Sequence, residues 1–416
     1  MSFGIPSPAT LRHHRPFVMF WLARVCATVA VQMQTVAVSW QLYNLSHSPL
    51  DLGLLGLVQF LPAVVLVLFA GHVADRYDRR TVLRICQAVE AVAVAVLAWG
   101  TFAGWITREV IFATAFVLGV ARAFEAPSTS SLLPIVVPVE LFPRAVAGSA
   151  AANQFATIAG PAIGGLIYAV SPVAAYGISS ALLFSASAMV AMIRITDAAG
   201  KRDPFSVAAL FAGFAFIRRQ PIVLGAISLD LFAVLLGGAT ALLPVFARDI
   251  LGTDAQGLGL LRACPAVGAL AISLLLTRWP IRRRVGRVMF TAVAVFGLAT
   301  IVFALSRSLW LSMAALVVLG AADLISVVIR STLVQLATPD AMRGRISAVN
   351  SLFIGTSNQL GEFRAGVMAA WLGAVPAVLI GGIGTLLIVL IWSRAFPALF
   401  NADEMQTMRP AKVSGA

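Results

Sequence analysis

Of 416 residues, 60% are hydrophobic and 11% are charged, and the formal net charge is +13. Soluble domains are about a quarter charged, so a soluble enzyme or a soluble nucleic-acid-binding protein is excluded despite the basic balance. The three cysteines, Cys26, Cys86 and Cys264, all fall in apolar runs, which excludes a disulfide framework and a CxxC site.

Apolar runs long enough to cross a bilayer recur along the chain. Residues 17–43 form the first; it carries Arg24, lacks a small-residue cleavage site, and is expected to stay as a span rather than be removed as a leader. Further helices are predicted over 50–74, 81–101, 107–137, 145–169 and 173–195. The longest polar stretch, 196–220, follows; within it SVAALFAGFAFIRR (206–219) reads as an interfacial helix or an early start of the next span. Six more helices are predicted over 221–247, 256–277, 286–305, 309–337, 345–370 and 375–396. The expected organisation is an N-terminal six-helix bundle (1–195), a linker (196–220), a C-terminal six-helix bundle (221–396) and a cytoplasmic tail (397–416). Internal Gly and Pro are ordinary in membrane helices.

With the N-terminus placed in the cytoplasm, 22 of the Lys and Arg residues fall on the cytoplasmic side and three, Arg108, Arg248 and Arg307, on the far side. This positive-inside bias accounts for most of the charge excess without nucleic acid. Trp40, Trp99, Trp105, Trp310 and Trp371 lie near expected outer ends, as interface anchors do.

The halves echo each other. An offset of 201 pairs Gly119 with Gly320, Pro138 with Pro339, Arg144 with Arg345, Gly160 with Gly361 and Gly165 with Gly366. An offset of 206 pairs LGLL at 52–55 with LGLL at 258–261. A duplicated six-helix unit around a midplane site is the usual build of a secondary transporter.

Over nearly its full length the chain resembles the major facilitator superfamily. The cytoplasmic turn GHVADRYDRR (71–80) is similar to its loop between helices two and three, with Asp78 where glycine is common. A closer resemblance, to the enterobactin-exporter-like or transmembrane secretion effector branch, is carried by WQLYNLSHSP from Trp40, LDLFAVLLGGATALLPVF from Leu229 and GLLRACPAVGAL from Gly259. It is carried above all by IRSTLVQLATPDAMRGRISAVNSLFIGTSNQLGEFRAG from Ile329, with Arg364 where the branch usually has Glu. The resemblance implies an all-α membrane protein of twelve transmembrane helices in two pseudo-symmetric six-helix bundles, and it implies export. It also implies that Gly71, Asp75, Arg76, Arg79 and Arg80 form a conformational latch against helix eleven; their plain role as topology anchors holds as well. GPAIGG (160–165) is similar to a span-five signature of antiporters.

Ten ionisable residues lie within the spans: Glu90, Glu125, Asp230, Asp323 and Glu362, with Arg24, Arg122, Arg262, Arg330 and Arg364. Each costs about 2.5–3.5 kcal/mol if it faces lipid, so pairing or function is expected. The 206 offset matches Arg24 with Asp230, and the 201 offset matches Arg122 with Asp323. Arg24 and Asp230 are expected to meet at an inner gate that protonation of Asp230 would loosen. Glu125, one turn from Arg122 and just before Pro127, is the rival proton carrier; Asp323 stands behind it. Glu90, Arg262, Arg330, Glu362 and Arg364 are the other buried charges, for which structural pairing is the plainer expectation.

There is no Walker A lysine motif, no HExxH, and no gathering of the four histidines. No enzyme activity, cofactor or metal is expected, and the proton is the expected coupling ion. The expected function is proton-coupled antiport of a siderophore-like or drug-like small molecule out of a bacterial cytoplasm, by a monomer in the inner membrane with both termini inside. The alternatives are a proton-coupled importer of a small organic solute and a non-transporting membrane sensor.

Overall fold

The computed structural model describes residues 15–137, 141–193, 214–218, 220–281, 283–339 and 342–403. Each predicted span has its helix. The first six are α1 (Arg15–Ser46), α2 (Pro49–Arg76), α3 (Arg79–Phe102), α4 (Arg108–Val136), α5 (Phe142–Val170) and α6 (Pro172–Ala191). The next six are α7 (Pro221–Gly237), α8 (Ala255–Arg278), α9 (Val285–Leu305), α10 (Leu309–Ala337), α11 (Arg343–Leu372) and α12 (Ala374–Ala395), followed by the single turn α13 (Pro397–Phe400). Short polar side chains start several of them. Thr107, Ser171 and Asp254 accept from Val110, Ala174 and Gly257 backbone N–H groups and so satisfy donors that the helix cannot.

Ten of these helices, with α7 taken on to Ile250, are long and apolar enough to cross a membrane. The other two, α5 and α11, have the length, 29 and 30 residues. Asn153 and Gln154 in one, and Asn350, Asn358, Gln359, Glu362 and Arg364 in the other, lower their hydropathy. Large apolar side chains face outward along the bundle, Phe69, Val92, Leu298 and Leu387 among them, a surface that suits lipid and not water. Trp99, Trp105, Trp310 and Trp371 are exposed near helix ends, whereas Trp40 is buried.

The seventh span departs from expectation. One continuous helix was predicted over 221–247, but α7 stops at Gly237. The chain then passes through a 3-10 turn (Thr240–Leu242), one α turn (Leu243–Val245) and a π turn (Phe246–Ile250). Two consecutive glycines each cost about 1 kcal/mol of helix propensity, and Pro244 has no N–H to continue the ladder.

The described residues fall into two compact units, one within 1–38 and 58–205, the other within 39–57 and 206–416. In the first, α3 packs on α4 and on α6. In the second, α9 packs on α10 and α12, and α8 on α10. Residues 39–57 join the second unit: Gly53 and Gly56 lie against Phe363, Glu362 and Gly366 of α11 so closely that a Cβ on either would collide. The helical stretch 214–218 seats Ile217 in a small core with Val223, Ile227, Val334, Ile346 and Val349. The chain after α12 also packs. Leu399 enters the core of Leu229, Met289 and Leu333, and Asp403 Oδ1 accepts from the N–H of Arg284, held at φ +53°, at 3.1 Å.

The duplication is visible helix by helix. The starts of α1, α2 and α3 reappear 206 residues later at α7, α8 and α9, and those of α4 and α5 reappear 201 residues later at α10 and α11. The five-residue difference arises because α9 is three residues shorter than α3 and the loop after it two residues shorter. Contacts repeat with the helices. Gly119 of α4 abuts Gln59 of α2, and at the same offsets Gly320 of α10 abuts Pro265 of α8. Gly160 of α5 abuts Val29 and Gln32 of α1, and Gly361 of α11 abuts Leu235 and Gly238. Small residues let backbones meet at these crossings. Gly119→Val and Gly320→Val should each destabilise by about 1–3 kcal/mol through overpacking. Gly148→Ala, with nothing within 4 Å of its new methyl, should be neutral or better; thermal midpoints of the purified variants check this.

Candidate functional site

In the first unit α1, α3, α4, α5 and α6 enclose a cavity of about 410 Å³. Its wall is mostly apolar, with Phe20, Ala27, Val31, Leu83 and Val190. Its polar groups are Arg24, Thr28, Gln87, Arg122, Glu125, Thr129 and Asn153. Helical spacing explains the cluster on α4, since Arg122, Glu125 and Thr129 fall three and four residues apart on one face. Pro127 does not end α4, which runs on to Val136; Ser128 returns its hydroxyl to Phe124 O at 2.9 Å.

Arg122 is held by two neighbours: NH1 donates to Gln59 Oε1 at 3.3 Å, and Nε lies 3.8 Å from Glu90 Oε1. Gln87, one turn before Glu90 on α3, donates to Glu125 Oε1 at 3.2 Å. Glu90 is fully buried. Arg24 stands in the cavity wall, and among the described residues no carboxylate lies within ion-pair distance of it. Thr28 donates to Asn153 Oδ1 at 3.4 Å, tying α1 to α5.

The second unit holds a drier cluster. Asp230 of α7 pairs with Arg330 of α10 at 3.2 Å and receives Ser326 Oγ at 3.5 Å. Asp323, one turn before Ser326, lines the same small cavity as Asp230 and Phe296. Arg330 also donates to Asn350 of α11 at 3.3 Å. Within its own unit the base that Asp230 faces is Arg330. Glu362 accepts from Thr240 at 3.3 Å and lies in the field of Arg262 of α8, which donates to Ser39. Arg364 donates to Leu236 O, a carbonyl at the end of α7. The break after Gly237 orphans such carbonyls, and a guanidinium there satisfies one and suits the negative helix end. This is a structural use for the arginine at that position.

In the turn between α2 and α3, Asp78 has a local role. Asp78 is the N-cap of α3: it accepts from Arg80 N at 3.2 Å and Thr81 Oγ1 at 2.9 Å, and pairs with Arg80 at 3.4 Å. Arg80 reaches on to Ile193 O beyond the end of α6 at 2.6 Å. Gly71 and Arg76 lie in the last turns of α2 and Arg79 opens α3; the side chain of Asp75 is outside the described residues. Burial pushes the Asp78 carboxyl up, but the hydrogen bonds from Thr81 and Arg80 outweigh it and leave it below the ordinary carboxylate value. Its stabilising contribution is therefore present above the unfolded carboxylate pKa and is lost as pH falls through the lower folded one. Asp78→Ala should cost about 1 kcal/mol at neutral pH as a lost cap, and the difference in thermal midpoint from the parent should vanish in acid.

Sequence reasoning missed a polar cluster in the second unit, between the end of α1 and the end of the seventh span. Tyr43 Oη donates to Asp249, Arg248 NH1 donates to Asn44 Oδ1 at 2.7 Å, and the Arg248 guanidinium lies 6.0 Å from the centre of the Tyr43 ring. A signal existed, because the 206 offset pairs Tyr43 with Asp249.

Duplicated helical units, an outer surface fit for lipid and buried charges facing inner cavities define a multi-pass membrane transporter of the major facilitator type. Within that class, the chain belongs to the transmembrane secretion effector family, whose model matches residues 7–413. It is similar to the enterobactin exporter EntS of Escherichia coli O1:K1, 25% identical over 383 residues and 91% of each chain. It is equally similar to EntS of Citrobacter koseri, 25% identical over 386 residues and 92% of each. Among solved structures, it shares the fold of a bacterial homologue of the lysosomal transporter Spinster (TM-score 0.72, 13% identity, 97% of this chain and 100% of that one). It also shares the fold of a bacterial homologue of the iron transporter ferroportin (TM-score 0.71, 15% identity, 93% and 99%).

Proposed function

We infer that the protein is a secondary active exporter. It exchanges protons for a siderophore-like or drug-like small molecule across a bacterial inner membrane, works as a monomer and keeps both termini in the cytoplasm. One observation carries the reading: the first unit's cavity sets two arginines, an amide pair and a carboxylate into an apolar wall. Such a wall suits a partly apolar molecule that also bears anionic or hydroxyl groups. A carboxylate among arginines is a group whose proton changes which interactions are satisfied. The likeness to enterobactin exporters supports outward transport and a siderophore-like cargo.

Proteoliposomes with an imposed pH gradient test it, using iron-free enterobactin and a lipophilic cationic dye as probes. In inside-out orientation an acid interior should drive uptake of at least one probe, and collapsing the gradient should stop it. Uptake driven only in right-side-out vesicles would make the protein an importer. Orientation has its own check, a cysteine at the exposed Tyr77 or at Ala103 in a chain whose native cysteines are serine. An impermeant thiol reagent should label position 103 but not 77 in spheroplasts.

A further inference from the structure

Each unit contains one cluster in which a second carboxyl lies beside an acid that already holds an arginine. In the first, Glu90 pairs with Arg122 and Glu125 lies beside Glu90; in the second, Asp230 pairs with Arg330 and Asp323 lines the same cavity. Both are built on duplicated helices, with the arginine and one acid on α4 or on α10 and the other acid on a neighbour, α3 or α7. A third buried set, Glu362 with Arg262, has one acid and one base and balances without a proton.

Within ion-pair distance, the first two clusters do not balance. Glu90 is 0% exposed, and neither of its oxygens has a donor within hydrogen-bonding distance. Its one ion-pair partner is Arg122 Nε, at 3.8 Å. Its other polar neighbour is the carboxyl of Glu125, and two carboxylates side by side repel unless one carries a proton. The remaining groups around this pair are Gln87 and Cys86 on α3, Gln59 on α2, Asn153 on α5 and Arg24 on α1, which forms no ion pair with Glu125. In the second unit, Arg330 is engaged by Asp230 and Asn350, and Ser326 also serves Asp230. Asp323 has no ion pair among the described residues, and α9 brings only Val293 and Phe296 to this cavity.

We propose that each unit binds its own coupling proton, shared by Glu90 and Glu125 in the first and by Asp230 and Asp323 in the second, so that the transporter carries two protons at separate sites. This rests on the proton-coupled reading above and extends it from one carrier residue to two carboxyl pairs. No covalent step is involved; each pair passes between a singly protonated state that balances its arginine and a doubly ionised state with one negative charge in excess. Opening of either cavity to water would favour the second.

The pairs predict an unusual substitution pattern. Replacing either acid of a pair by its amide leaves one acid with one arginine, which balances without a proton. Either replacement should therefore remove the same proton. Infrared difference spectra of the full-length protein in lipid nanodiscs, recorded across a pH titration, read this through the carbonyl stretch of neutral carboxyls. Glu90→Gln and Glu125→Gln should each remove one titrating contribution, Asp323→Asn and Asp230→Asn the other, and Glu90→Gln with Asp323→Asn should remove both. Proton uptake counted with a pH dye should fall by about half in each single variant. Glu125 lines the cavity, so Glu125→Gln serves if Glu90→Gln does not fold. Wild-type amplitude in both variants of either pair, or a single titrating carboxyl in the parent, overturns the proposal. The measurement needs no substrate and no direction of transport. Titrating pairs in a protein whose transport ignores the pH gradient would defeat the exporter reading and leave the proton sites standing.

Discussion

Asp230→Asn should sharply reduce gradient-driven efflux while leaving substrate binding and substrate–substrate exchange in place. The amide resembles the protonated carboxyl in shape and cannot lose a proton. It stays beside Ser326, and Arg330 keeps Asn350. What is removed is the change of charge that lets a proton decide between conformations. A ligand with equal preference for both states shifts nothing, and an asparagine has lost the proton-dependent preference. In proteoliposomes uphill transport under an imposed gradient should fall well below the parental level, to what the first unit's proton alone can drive, with equilibrative exchange of labelled substrate still measurable. Uphill transport at parental efficiency would remove Asp230 from coupling and leave the first unit's pair as the sole carrier.

The second large effect is on stability. Arg330→Met leaves Asp230, 5% exposed, without its cation. Breaking one side of a buried pair costs about 3–5 kcal/mol, because the surviving charge is desolvated and uncompensated. Adding Asp230→Asn should recover most of that loss, since it removes the charge that lost its ion-pair partner and leaves only Asp323 in the cavity. Thermal midpoints of Arg330→Met, Asp230→Asn and the double variant form the cycle. A double variant no more stable than Arg330→Met would mean that the arginine contributes by packing or through Asn350, not through Asp230.

Much of the architecture was legible in order. The positions of the helices follow from length and hydropathy, which act locally: a run of apolar residues must satisfy its own backbone in lipid and does so as a helix. The two offsets of the repeat were also legible, and the structure gives their origin in a shorter α9 and a shorter loop. The seventh span lies where hydropathy places it, but hydropathy is blind to the helix break at Gly237 and Gly238. They are apolar enough to continue a span and too flexible to hold it helical without support. Asp78 stood out as an aspartate in place of a common glycine, but its cap on α3 depends on the φ and ψ of the turn.

For the charges, the sequence by itself determined that ten ionisable groups lie within apolar spans and that five are acids and five are bases. Equal numbers invite the pairing of each acid with a base, and pseudo-symmetry invited Arg24 with Asp230. Tertiary structure alone decided the partners. Ion pairing depends on distances of 3–4 Å between helices whose azimuth no composition specifies, and a rotation of one residue turns a side chain by about 100° about the helix axis. That geometry gave Asp230 to Arg330 and Glu90 to Arg122, set Arg364 on a freed carbonyl of α7, and left Glu125 and Asp323 each beside an acid that already holds the nearest arginine.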